Sequence, residues 1–199
     1  MSSIVSSLFS DLGVSKAAST AVHTLEIRKS QADPAQLVFI HAAGAPENSD
    51  PLWSILNKKA GNPDILIYKG SSHPHNVFGD GSFSSFSGSA KLKMRGVPIK
   101  VKASSLGEGY NVESQQLGKM KWKPNPMTGM GLQLHDSSGT MIAKIKSSGL
   151  GMGPKSLVVY VQADEFLMDL IVFTAMAVKT IKKTEEEVAS EVVQAVAGA

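Results

Sequence analysis

Cysteine is absent from the 199 residues, which excludes a disulfide framework, thiolate metal sites and cysteine nucleophiles together. Aromatic residues are scarce at 6%, so the stacking platforms that hold single-stranded nucleic acid are nearly missing. Charged residues reach only 19% against 42% hydrophobic, a balance that rules out a highly charged disordered chain. No apolar run reaches the roughly 20 residues a helix needs to span a bilayer. The first residues lack the basic segment and apolar core of a secretory signal, and no Asn-x-Ser/Thr sequon occurs. These absences predict a cytoplasmic protein with no transmembrane span.

Turn residues and short alternating runs are plentiful. Period-two patterning bounded by Gly, Pro, Asn, Asp and Ser predicts strands at Val22–Arg28, Gln36–His41, Leu52–Asn57, Ile65–Lys69, Asn76–Gly79 and Ser89–Arg95. The same reading predicts Pro98–Lys102, Tyr110–Glu113, Gly118–Lys123, Gly131–His135, Thr140–Lys146 and Ser156–Val161. Gly79-Asp80-Gly81, Arg95-Gly96-Val97-Pro98 and Asp136-Ser137-Ser138-Gly139 read as hairpin turns. Phe166 to Val178 is then apolar on every face except at Asp169 and Thr174. A helix apolar all round but too short to cross a bilayer belongs in the centre of a core. Roughly twelve short strands ahead of one such helix predict a mainly β fold: an antiparallel barrel closed around a buried C-terminal helix, residues 164–183. Closure removes strand edges, and the helix fills a lumen too wide for side chains alone. Residues 1–20 read as an arm with Ile4, Val5, Leu8, Phe9 and Leu12 at helical spacing. Residues 21–183 read as the barrel domain and 184–199 as an amphipathic tail faced by Val188, Val192, Val193 and Val196.

The order of elements resembles the Tubby C-terminal-like superfamily, which holds the Tubby proteins, the phospholipid scramblases and the LURP-one-related proteins. Three segments are similar to small fungal tubby-like proteins of unknown function. They are Gly118-Lys119-Met120-Lys121-Trp122-Lys123, Gly131-Leu132-Gln133-Leu134-His135-Asp136 running into Ile142-Ala143-Lys144, and Asp164-Glu165-Phe166 with Ile171-Val172-Phe173-Thr174. The resemblance covers about Thr24 to Lys183 and implies a twelve-stranded barrel around a central helix. It also implies phosphoinositide binding through basic residues on the barrel exterior.

Positive charge is concentrated in one region. Lys91, Lys93 and Arg95 alternate with apolar residues, as do Lys100 and Lys102, then Lys119, Lys121 and Lys123, then Lys144 and Lys146. Between Ser89 and Lys146 stand ten basic residues against three acidic ones, whereas the whole chain carries only +3. Alternation sends the apolar partners inward and the cations outward. Lys91, Lys93, Arg95, Lys100, Lys102, Lys119, Lys121 and Lys123 are therefore the candidate lipid-binding residues, with anionic phospholipid headgroups as partner. The competing role for these lysines is plain solvation of the sheet. A nucleic-acid partner is disfavoured, since only Trp122 is interleaved with them.

Chemistry is largely missing. There is no Gly-x-Ser-x-Gly elbow. Gly149 to Ser156 resembles a phosphate loop but has proline before the lysine and a predicted strand behind it. His23, His41, His73, His75 and His135 lack the spacing of a metal site. Asp169 within the apolar helix needs a buried partner, for which a lysine, Trp122 or Tyr160 is available. No catalytic residue, metal or cofactor is assigned. The expected function is a non-enzymatic lipid- or phosphoinositide-associated module at membrane surfaces. Two alternatives are an enzyme or cyclase with a pocket at the barrel rim, and a scaffold that dimerises through its terminal helices.

Overall fold

A computed structural model describes residues 20–58, 62–84, 87–105, 109–127, 131–146 and 155–197. The expected N-terminal arm and most of the glycine-rich stretch before Ser156 lie outside the described residues. Strands β1 (His23–Lys29), β2 (Leu37–Ala42), β3 (Trp53–Asn57), β4 (Ile65–Lys69), β5 (Val77–Ser84) and β6 (Ser89–Met94) come first. They are followed by β7 (Val97–Ala103), β8 (Tyr110–Ser114), β9 (Gly118–Pro124), β10 (Leu132–His135), β11 (Met141–Lys146) and β12 (Lys155–Val159). Each strand pairs antiparallel with its neighbours in sequence, and β12 returns to β1, so the sheet is a closed twelve-stranded barrel. This is the architecture the alternation predicts.

Helix α1 (Glu165–Ala197) enters from the end of the barrel where β12 finishes. Asp164 caps it, its Oδ1 accepting the Leu167 amide at 2.7 Å. From Leu170 to Val178 every side chain is buried, including Phe173, which has no exposed surface. Burying a side chain of that size is worth about 1.5–3 kcal/mol. Thr174 is the polar exception within that stretch; it accepts the indole N–H of Trp122 at 3.2 Å and donates to the Leu170 carbonyl at 2.8 Å. Among the described residues no buried side-chain nitrogen or oxygen lacks a partner.

The helix does not end at Lys183. No glycine or proline follows until Gly198, and Lys182–Glu186 and Lys183–Glu187 are i,i+4 pairs that support continuation. Residues 184–197 are thus the same helix emerging from the barrel. The valines of the expected dimerisation face lie outside the described side chains.

A second difference concerns Gly79-Asp80-Gly81, which is not a turn but the middle of β5. Both glycines face the interior. A Cβ on Gly79 would stand 2.9 Å from Ile67 Cγ2 and 3.0 Å from Phe173 Cε1, so the bare backbone lets the helix ring seat against the wall. Gly79→Val is expected to cost about 1–3 kcal/mol by overpacking, read as a lowered urea midpoint. An unchanged midpoint would mean that the helix shifts freely.

Candidate functional site

The outer surface of β6 to β9 carries the basic residues, and the register brings them together. One row across the sheet reads Lys91 (β6), Lys100 (β7), Glu113 (β8), Lys119 (β9). The next reads Ser89, Lys102, Asn111, Lys121 and His135, and a third places Lys123 beside Gln133 and Lys144. Lys93 completes β6, opposite Asp80 on one side and Pro98 on the other. With strands about 4.8 Å apart, the patch from β6 to β9 is about 14 Å wide. Lys91 and Lys100 stand directly opposite, an unfavourable like-charge pairing. Lys91, Lys93, Lys100, Lys102, Lys119 and Lys123 are exposed, and none forms an ion pair among the described residues. Between Lys100 and Lys119 lies a shallow depression of about 300 Å³ that also holds Glu113.

Arg95 does not belong to this face. β6 stops at Met94, and Arg95-Gly96 forms the two-residue turn into β7, with φ of 49° and 83°. Two successive positive φ values match the twist of a tight hairpin, and a side chain other than glycine is strained there. The turn aims the guanidinium across the end of the barrel. Its Nη2 donates to Asp169 Oδ2 at 2.6 Å and lies 2.8 Å from Glu165 Oε1.

Asp169, fully buried on α1, is the centre of this cluster. Its Oδ1 accepts from Trp53 Nε1 at 2.7 Å and from Lys69 Nζ at 2.8 Å. Lys69 also reaches Glu165 Oε1 at 3.3 Å and rests 4.7 Å from the centre of the Trp53 ring. The partners are therefore a lysine, as expected, together with Trp53 and Arg95. Trp122 is occupied by Thr174. Two carboxylates face two cations, so the charge balances. Hydrogen bonds from Arg95 and then Lys69 hold Glu165 below the usual carboxylate range, while Glu165 first and then Asp169 raise Arg95. With both oxygens engaged by three donors, the carboxylate joins helix to wall. It lines none of the surface cavities described here.

The histidines are dispersed. His41 Nδ1 lies 3.2 Å from Ser49 Oγ, and burial followed by the charge of Arg28 lowers its pKa. His135 Nδ1 lies 3.0 Å from the Gly139 carbonyl, and His73 stacks on His75 at 5.0 Å. No group of three metal-ligating side chains occurs among the described residues. No described helix is long and apolar enough to cross a membrane.

Comparison with known proteins brings no relative to this arrangement: no family model, curated protein or solved structure matches the chain.

Proposed function

We propose that the chain is a non-enzymatic binding module that docks on anionic phospholipid, phosphoinositides included, through the outer face of β6, β7 and β9. The observation that carries this reading is the register of Lys91, Lys93, Lys100, Lys102, Lys119 and Lys123, six exposed lysines on one face with no ion pair among the described residues. Surface charges at such spacing repel one another and gain most from a surface of opposite sign. Each contributes on the order of 1 kcal/mol near an anionic leaflet. The resemblance to the Tubby C-terminal-like superfamily supports the same reading, because Tubby proteins use basic barrel-exterior residues for phosphoinositides. Arg95 is left out of the docking set, since its guanidinium is committed to Asp169 and Glu165.

The test is co-sedimentation with vesicles containing phosphatidylserine or a phosphoinositide, at low and high salt. Binding is expected at low salt, weakening as screening shortens the reach of the charges. Reversing Lys91, Lys93, Lys100 and Lys119 to Glu together should weaken it by about tenfold or more. Absence of binding at low salt, or binding indifferent to the four reversals, overturns the proposal.

A further inference from the structure

The other end of the barrel, where α1 emerges, carries a separate group of cations. A cavity of about 780 Å³ opens there between β1, β2, β12 and the helix. Lys29 comes from the end of β1, Lys155 from the start of β12, and Lys179 from the helix as it leaves the core. Lys182 and Lys183 stand on the rim, where they pair with Glu186 at 3.8 Å and Glu187 at 3.4 Å. Glu186 is the one acid in the lining. Lys29 and Lys155 are exposed, and Lys179 is half-buried with no anionic partner among the described residues. Val38, Met176, Pro34 and Ala35 supply an apolar wall.

Three lysines from three elements converge here, none of them in an ion pair among the described residues, while Glu186 in the same lining faces Lys182. That is the reverse of the opposite end, where two cations meet two carboxylates. The volume lies within the range of small-molecule sites, which combine an apolar lining with a few convergent polar groups. Lysine ammoniums act as point charges suited to phosphate, whereas planar carboxylate recognition favours the arginine fork. We propose that this open end of the barrel binds a phosphate ester, its dianion seated among Lys29, Lys155 and Lys179 and the carbon chain of the ester against Val38 and Met176. Burial first, then repulsion from Lys155 and Lys29, lowers Lys179 to about 8. A bound dianion would reverse that repulsion and raise it.

The site is independent of the basic outer face, and its test separates the two. The reactivity of Lys179 toward an amine-acylating reagent is followed by mass spectrometry across pH on the full chain. Probes are glycerol 3-phosphate in solution and vesicles containing phosphatidylinositol 4-phosphate. Glycerol 3-phosphate is expected to protect Lys179 and to move its titration upward by about one unit. Calorimetric binding should weaken by about tenfold in Lys179→Met and persist in Lys179→Arg, which keeps the charge. The combined outer-face reversals should leave both readouts unchanged. Protection by vesicles alone would assign the phosphate to a lipid headgroup reaching into the cavity. No protection by either probe, or protection lost with the outer-face reversals, overturns the proposal.

Discussion

Replacing Asp169 by Leu is expected to destabilise the protein by about 3–5 kcal/mol, a large part of the 5–15 kcal/mol that separates folded from unfolded domains. The substitution leaves the Trp53 indole N–H in the core without its acceptor and leaves Lys69 and Arg95 to share Glu165 alone. Lys69 and Arg95 retain 43% and 40% side-chain exposure, so water recovers part of their solvation and the effect belongs near the lower bound. Asp169→Asn is the milder control. Its carbonyl still accepts from Trp53 and Lys69, but its amide meets the Arg95 donor, so a smaller loss is expected. Adding Lys69→Met to Asp169→Leu should restore part of the stability, because one cation then faces Glu165 where two did. Urea denaturation of the four proteins supplies the measurement. A loss below about 1 kcal/mol in Asp169→Leu would mean that the cluster only decorates the barrel end.

The same cluster marks where the sequence was readable and where it was not. Alternation between apolar and polar residues predicted all twelve strands, because one face of each had to be buried against the helix. It also predicted that a carboxylate within an apolar helix would be partnered, since burial leaves no other arrangement. It did not identify Trp53 or Arg95 as partners. Trp53 and Asp169 lie 116 positions apart, and pairing at that distance depends on barrel closure, which no local pattern reports. For Arg95 a local signal was present. Arg95-Gly96 between two alternating runs is a two-residue hairpin, and a residue inside such a turn leaves the strand's period. Counting Arg95 with Lys91 and Lys93 extended the alternation one position beyond the strand.

Gly79-Asp80-Gly81 misled in the opposite direction. Glycine pairs often mark turns, but here Gly79 makes room for Phe173 and Ile67, and Gly81 for Leu92 and Ile65. Close approach and chain reversal call for the same residue, so only the packed structure distinguishes them. The lysines of β6, β7 and β9 were legible as a face because period two fixes direction within a strand. That Lys91 stands opposite Lys100, and Lys100 opposite Glu113, required the register. The cavity at the far end was not legible, since its cations come from the first strand and from the last strand and helix, which only barrel closure brings together.

Replacing Lys179 by Met is expected to stabilise the protein by about 1–3 kcal/mol near pH 7, somewhat less than the full pKa displacement at about 1.36 kcal/mol per unit. Lys179 titrates near 8 in the folded chain against an ordinary 10.5. Below about pH 8 both folded and unfolded chains carry the charge, and the folded state bears the whole penalty of burial and of repulsion from Lys155 and Lys29. Between 8 and 10.5 the unfolded chain binds more protons, so this contribution favours folding increasingly as pH rises. Above 10.5 both are neutral and the penalty vanishes. The advantage of the Met variant should therefore be full at pH 7, smaller at pH 9 and nearly gone beyond 10.5. Methionine has a comparable unbranched stem, so the apolar contacts along the lysine chain are largely kept. Thermal or urea unfolding of both proteins across that range gives the answer directly. An advantage that does not change with pH would assign the gain to packing, and a loss at pH 7 would show an anionic partner already neutralising Lys179. If the cavity takes a phosphate ester, saturating glycerol 3-phosphate should narrow the gap from the other side, stabilising the native protein by about 1.4 kcal/mol more than Lys179→Met, the equivalent of tenfold tighter binding. A destabilising lysine at the mouth of a cavity is then understandable: the charge weakens the empty fold and strengthens the bound one.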